Sequence, residues 1–144
     1  MVFFVYFLLV FVCSMTRSAN LSLRLNRIYN LSKNSKIIAD IGSDHGLLAI
    51  KLASNNEQIN RVYCIDNSLL ALKNGAYKNI QNLDNKVKNK LTVINGDGLI
   101  PIIKENKKVE TIILAGLGAH TINSILNVDL DLLGCSQMII QVSI

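Results

Sequence analysis

Proline occurs once in the 144 residues, at Pro101, and that scarcity argues against a disordered chain. Cysteine is sparse too. Cys13, Cys64 and Cys135 show no C-x-x-C and no Cys/His spacing, which argues against a metal site or a disulfide framework. Cys64 stands inside an apolar run and reads as a small core residue. No G-x-G-x-x-G follows the first strand, because Asp44 stands where its second glycine would be. That counts against a third reading, an NAD-dependent Rossmann enzyme. The uninterrupted apolar run Val2 to Cys13 has twelve residues, fewer than the roughly 20 that cross a bilayer as a helix.

What is present suits one small domain. Half of the residues are hydrophobic, enough for a core, and the formal net charge is +5. A modest positive charge suits nucleic acid without specifying it.

The chain is organised around residues 36–46, Lys-Ile-Ile-Ala-Asp-Ile-Gly-Ser-Asp-His-Gly. The pattern predicts a buried strand Ile37–Ile41, a polar turn with Gly42 and Gly46, and a helix from Leu47 to about Ala53. Glycines let a ligand approach the backbone, and N–H groups at a helix start face it. A helix over 21–31 precedes this unit. Arg24 and Arg27 lie three apart there, on one side, as a solvated face or as phosphate contacts.

Further strands are expected at Arg61–Ile65, Leu91–Ile94, Val109–Leu114 and Gln137–Ile144. Between them the pattern gives a helix from Leu69 to Ile80 with Gly75 in mid-pattern, capped by Asn67 or Ser68, and a charged loop over 82–90. Leu99–Lys104 is short, and a last helix runs from about His120 to Asn127. Continuous apolar strands alternating with helices predict an α/β fold with a mostly parallel sheet of about five strands, covered on both faces. Every polar or glycine-rich turn falls at a strand's C-terminal end, where such sheets bind ligands.

Asp66 ends the second strand, where a carboxylate accepts both hydroxyls of a ribose or else caps a helix. Asp97, between Gly96 and Gly98, suits the exocyclic amine of an adenine or a plain turn. Asp40 is a charge inside an apolar strand and needs backbone N–H groups or a charged ligand nearby. Asp44 and His45 are the candidates for chemistry, as a base or substrate-positioning pair; the alternatives are a helix cap and a structural turn histidine. Gly116 and Gly118 suit close backbone approach to a substrate or an unusual turn. His120, just beyond them, is a weaker candidate.

Residues 1–19 are read as a leader outside the domain of 20–144. The apolar run fits a signal-peptide core with small residues before a cleavage point after Ser14. The basic, hydroxylated, acid-free stretch from Thr16 to Lys33 is similar to an organellar transit sequence. The expectation is delivery to a plastid or mitochondrion, with no stable membrane insertion of the mature domain. A membrane anchor is a lesser reading of the run. Translation from Met15 would leave the protein in the cytoplasm.

Several motifs together resemble one family. They are Leu23-Arg24-Leu25, Ala39-Asp40-Ile41-Gly42-Ser43-Asp44-His45-Gly46, Gly96-Asp97-Gly98-Leu99, Ile113-Leu114-Ala115-Gly116-Leu117-Gly118 and Ile139-Ile140-Gln141. This set is similar to the bacterial tRNA adenine-N1 methyltransferases that modify position 22, and it spans residues 21–141. The resemblance implies a Rossmann-like fold, S-adenosylmethionine as cofactor and tRNA as partner. It puts Asp40, Gly42 and Gly46 at the methionine side of the cofactor, and Ser43 and Ala115 also among the cofactor-binding residues, Ala115 opening the turn that borders the base pocket. Asp66 with Asn67 takes the ribose, and Asp97 with Gly98 the adenine. Asp44 and His45 then face the target base, bordered by Gly116 and Gly118, while Arg24 and Arg27 hold RNA. The implied reaction is in-line attack of adenine N1 on the sulfonium methyl, by a base taken out of its stack.

The sequence departs from the family pattern at Leu117 (Met), Ala119 (Gly) and Leu47 (aromatic). It ends with Val142-Ser143-Ile144 where the family continues with Pro-Asn, so the last strands and a C-terminal helical extension are expected to be missing. The alternative this raises is a non-catalytic or partner-dependent cofactor-binding remnant.

Overall fold

A computed structural model describes residues 4–7 and 21–143. Its elements in order are β1 (Phe4–Phe7), α1 (Leu23–Ser32), β2 (Ile37–Ile41), α2 (Leu47–Asn55) and β3 (Arg61–Asp66). Next come α3 (Leu69–Leu72), a π turn (Lys73–Tyr77), α4 (Lys78–Ile80), α5 (Asn85–Lys88) and β4 (Leu91–Asn95). The chain closes with α6 (Ile100–Lys104), β5 (Thr111–Leu117), α7 (Ala119–Leu126), a 3₁₀ turn (Leu130–Leu133) and β6 (Gln137–Val142). The six strands form one sheet in the order β1-β6-β5-β2-β3-β4, and every pair is parallel.

Strand alternation divides the core in two. Ile38, Val62, Cys64, Ile113 and Ile139 point to one face and pack with Ile28 of α1 and Leu48 and Leu52 of α2. Ala39, Ile41, Ile65, Ile112, Leu114 and Ile140 point to the other and pack with Ile102, Ile122, Ile125 and Leu133. Both faces are covered, so the strands tolerate the nearly continuous apolar runs that predicted them. Cys64 is fully buried in the first layer.

Three expectations change. The fourth expected strand, Val109–Leu114 followed by a turn, is β5 extended to Leu117 with a bulge at Gly116. The Gly116 N–H donates to the Gln141 side chain, Oε1 at 3.0 Å, instead of to the ladder, so pairing resumes at Leu117. The 82–90 stretch holds a short helix, α5, and a 3₁₀ turn closed by Gly134 at φ +66° buries Leu133; neither is long enough to show a period. Residues 1–19 were read as outside the fold, yet Phe4–Phe7 pairs parallel with Gln137–Ile140 and gives the edge of β6 a partner. The cleavage point after Ser14 lies outside the described residues.

Candidate functional site

The C-terminal ends of β2, β3, β4 and β5 carry two clefts that meet at Gly42. The first, about 300 Å³, is lined by Asp66, Asn67, Asp97, Gly98 and Leu117, and by His120, Thr121 and Ser124 from α7. The second, about 260 Å³, is lined by Arg24, Asp40, Ser43, Asp44, His45, Leu47, Ala115 and Gly116. Together they reach the range of roughly 300–1,000 Å³ typical of small-molecule sites.

The turn after β2 is held by the end of β3. Gly42 N–H and Ser43 N–H both donate to Ile65 O, at 2.8 and 3.2 Å. Asp44 N–H donates to Asp66 Oδ2 at 3.2 Å. Gly42 sits at φ +76°, and a Cβ there would meet Leu117 Cδ2 at 2.9 Å. Leu117 therefore lies directly over the glycine that both clefts share. Ser68, not Asn67, caps the following helix through Ala71 N–H, and Ser68 N–H donates to Asp66 Oδ1 at 2.9 Å. Both Asp66 oxygens are thus aimed by backbone N–H groups, and each keeps a lone pair for the cleft.

Asp40 is buried at 5 % exposure, and among the described residues its side chain accepts one hydrogen bond, from Ser43 Oγ at 3.1 Å. Desolvation pushes its carboxyl up from 3.8 to about 6; the Ser43 bond lowers it, and the Asp66 charge raises it further. On the same sheet face, the Arg24 guanidinium donates through Nη1 to Gln141 Oε1 at 2.6 Å. One donor is used there, and an arginine carries five. The second cleft therefore sets a carboxylate with spare acceptor capacity near a cation with spare donors.

Asp44 has φ +43°, strained for a residue with a Cβ. It does not cap α2, whose N-cap is Gly46 with no side-chain cap bond. Its Oδ2 lies 3.4 Å from His45 Nε2, and both side chains are at least half exposed. The strain is held from the far side: Ala76 N–H donates to Asp44 O at 2.9 Å, and Asn79 Nδ2 to His45 O at 2.9 Å. Ala76 lies in the π turn, and Gly75 beside it presses on Asp44 and His45 so closely that no Cβ fits. The mid-helix glycine is thus a seat for the candidate catalytic turn.

Other expectations shift. Arg24 and Arg27 do not share an environment: Arg24 turns inward to Gln141, and Arg27 is exposed and lines neither cleft. Gly46 and Gly118 line neither cleft; Gly46 closes the turn at φ +68°, and Gly118 has open space where a Cβ would be. Ala119 begins α7 and needs no positive φ, so its replacing glycine strains nothing. His120 is joined by Thr121 and Ser124 in the first cleft. Those two were missed because hydroxyls on an exposed helix carry no pattern of their own.

S-adenosylmethionine fits these residues. Its adenosine needs carboxylates in line, which Asp66 and Asp97 supply; its amino-acid end is a zwitterion, matched by Asp40 and Arg24. Glycine at the shared floor leaves room where a Cβ would collide. The arrangement is that of a Rossmann-like, S-adenosylmethionine-binding methyltransferase. The family model described as "Methyltransferase domain" matches residues 21–143, and the chain belongs to that family. Among solved structures, M. capricolum TrmK in complex with S-adenosyl-homocysteine is similar at 36% identity and TM-score 0.65, over 76% of this chain and 47% of that one. Sp1610 of Streptococcus pneumoniae, provisionally described as a tRNA (m1A22) methyltransferase, is similar in its S-adenosyl-L-methionine complex. That likeness has 28% identity and TM-score 0.64, over 74% of this chain and 48% of that one. The chain thus spans about half the length of these structures. No match is found among the curated proteins.

Proposed function

We propose that the chain methylates N1 of an adenine in tRNA. The observation that carries this reading is the exposed Asp44–His45 pair, held in a strained turn at the mouth of the cofactor cleft. Bound S-adenosylmethionine supplies an electrophilic methyl group. Asp66 accepts from the ribose hydroxyls, Asp97 from the adenine amine of the cofactor, and Asp40 and Arg24 hold its ammonium and carboxylate. Asp44 accepts from the N6 amine of the target adenine, which fixes the ring and raises electron density at N1. Once methylated the ring is cationic, and the Asp44 carboxylate offsets that charge as it develops. His45 orients the carboxylate across their 3.4 Å contact. Leu47, 49 % exposed at the start of α2, offers the base an apolar wall.

The two TrmK-type neighbours support the tRNA substrate. The test is methyl transfer to an unmodified tRNA transcript, with nucleoside analysis for 1-methyladenosine. Asp44→Ala is expected to abolish product while keeping most of the affinity for S-adenosylhomocysteine. Normal methylation by that variant would make Asp44 structural. A second reading is a cofactor-binding unit that uses the same two clefts without methyl transfer. Cofactor binding without methyl transfer would select it.

We also propose that residues 1–33 direct the protein to an organelle. A reporter fused to that stretch and staying diffuse in the cytosol would refute this.

A further inference from the structure

The sequence offered Arg24 and Arg27 as a solvated face or as phosphate contacts, but Arg24 turns inward. A different cationic face lies next to the site. Five of the chain's eleven lysines fall between residues 73 and 90, where Asp84 is the single acid. Folding sorts these five. Lys90 is tied to Ala53 O and Asn56 O, and Lys86 pairs with Glu57 at 3.3 Å. Lys73, Lys78 and Lys88 instead line an open groove of about 570 Å³ with Tyr77, Ile80 and Gln81, and among the described residues no carboxylate lines it. Tyr77 is 44 % exposed, so part of its ring faces the groove or solvent.

The groove is placed as well as charged. Its floor is the π turn and α4, the segment that holds the Asp44–His45 turn through Ala76 N–H and Asn79 Nδ2. A strand of nucleic acid with one base in the second cleft would pass its neighbouring phosphates and bases over this surface. Three cations match phosphates, and an exposed tyrosine matches an unstacked base. A peptide or a lipid surface would use the lysines but gives no reason for the ring or for the contact with the catalytic turn.

We infer that Lys73, Lys78 and Lys88, with Tyr77, form the RNA-binding groove that delivers the substrate to Asp44 and His45. This rests on the tRNA reading above. The test is binding of the full chain to an unmodified tRNA transcript by fluorescence anisotropy across a salt series. The triple variant Lys73→Ala/Lys78→Ala/Lys88→Ala is compared with Lys33→Ala/Lys36→Ala/Lys104→Ala. The second set removes the same charge from exposed sites that line neither the groove nor the two clefts. S-adenosylhomocysteine affinity reports folding of both.

The groove variant is expected to flatten the slope of log affinity against log salt by about 2, and to lose about tenfold in affinity. Tyr77→Ala is expected to weaken binding about tenfold with the slope unchanged. Equal losses in the two triple variants, with cofactor binding intact, would overturn the groove and leave the tRNA reading standing. No RNA binding by the wild-type chain would overturn both. Capture of phosphatidylserine vesicles through these lysines, with RNA affinity unmoved, would assign the groove to a membrane surface and overturn the inference.

Discussion

A Cβ on Gly75 would stand 2.6 Å from the carbonyl oxygen of Asp44. The π turn and the candidate catalytic turn therefore touch backbone to backbone, and Ala76 N–H bonds that same oxygen. Gly75→Ala must push the Asp44–His45 turn toward the cleft or open the helix. Overpacking of this kind costs about 1–3 kcal/mol. The expected outcome is a drop in melting temperature together with weaker S-adenosylhomocysteine binding. Calorimetry and thermal melts check it; unchanged values in both would mean the contact is soft.

Gly42→Ala places a methyl against Leu117 Cδ2 at a φ of +76°. The expected result is at least about tenfold weaker cofactor binding, from blocked space and about 1–2 kcal/mol of backbone strain. Adding Leu117→Ala removes the collision but not the strain, so affinity is expected to return only in part. Full recovery would show that φ is unimportant there.

Asp40 has its carboxyl raised from 3.8 to about 6, chiefly by burial. The sign follows from linkage: between these values the folded state holds a proton that the unfolded state has lost, so stability falls as pH rises through this window. The size is on the order of 3 kcal/mol. Asp40→Asn keeps an acceptor for Ser43 and removes the charge. The difference in stability between variant and wild type is expected to grow from pH 4 to 6 and to level off above. A flat difference would mean that water reaches the carboxyl. Cofactor binding near pH 6 is expected to release a proton from Asp40, read from calorimetry in buffers of different ionisation enthalpy.

Arg24 is expected to recognise the cofactor's carboxylate. Arg24→Ala should weaken S-adenosylhomocysteine about 10–100-fold and leave 5′-methylthioadenosine, which lacks the amino-acid end, unchanged. An equal loss for both ligands would restrict Arg24 to holding Gln141.

Much of this was legible in the sequence. The apolar runs within Ile37–Ile41 and Val62–Ile65 marked their strands because burial on both faces leaves few polar interruptions. Asp66 and Asp97 fell at the ends of successive strands, so parallel pairing brought them to one edge. What depended on long-range contact was hidden. The inward turn of Arg24 requires Gln141, 117 residues away. The bulge at Gly116 requires the same glutamine, and the meaning of Gly75 requires Asp44. The pairing of Phe4–Phe7 with β6 was hidden too, because an apolar run does not by itself name the strand it lies beside.

The central claim is a cofactor site whose ribose is held by Asp66. Calorimetric titration of S-adenosylhomocysteine into the full chain, with Asp66→Ala alongside, tests it most directly. The account predicts binding by the wild type and a loss of about 100-fold in the variant, for two hydrogen bonds to a charged group. A folded wild-type chain that binds no S-adenosylhomocysteine, or an Asp66→Ala variant that binds it equally well, would contradict it.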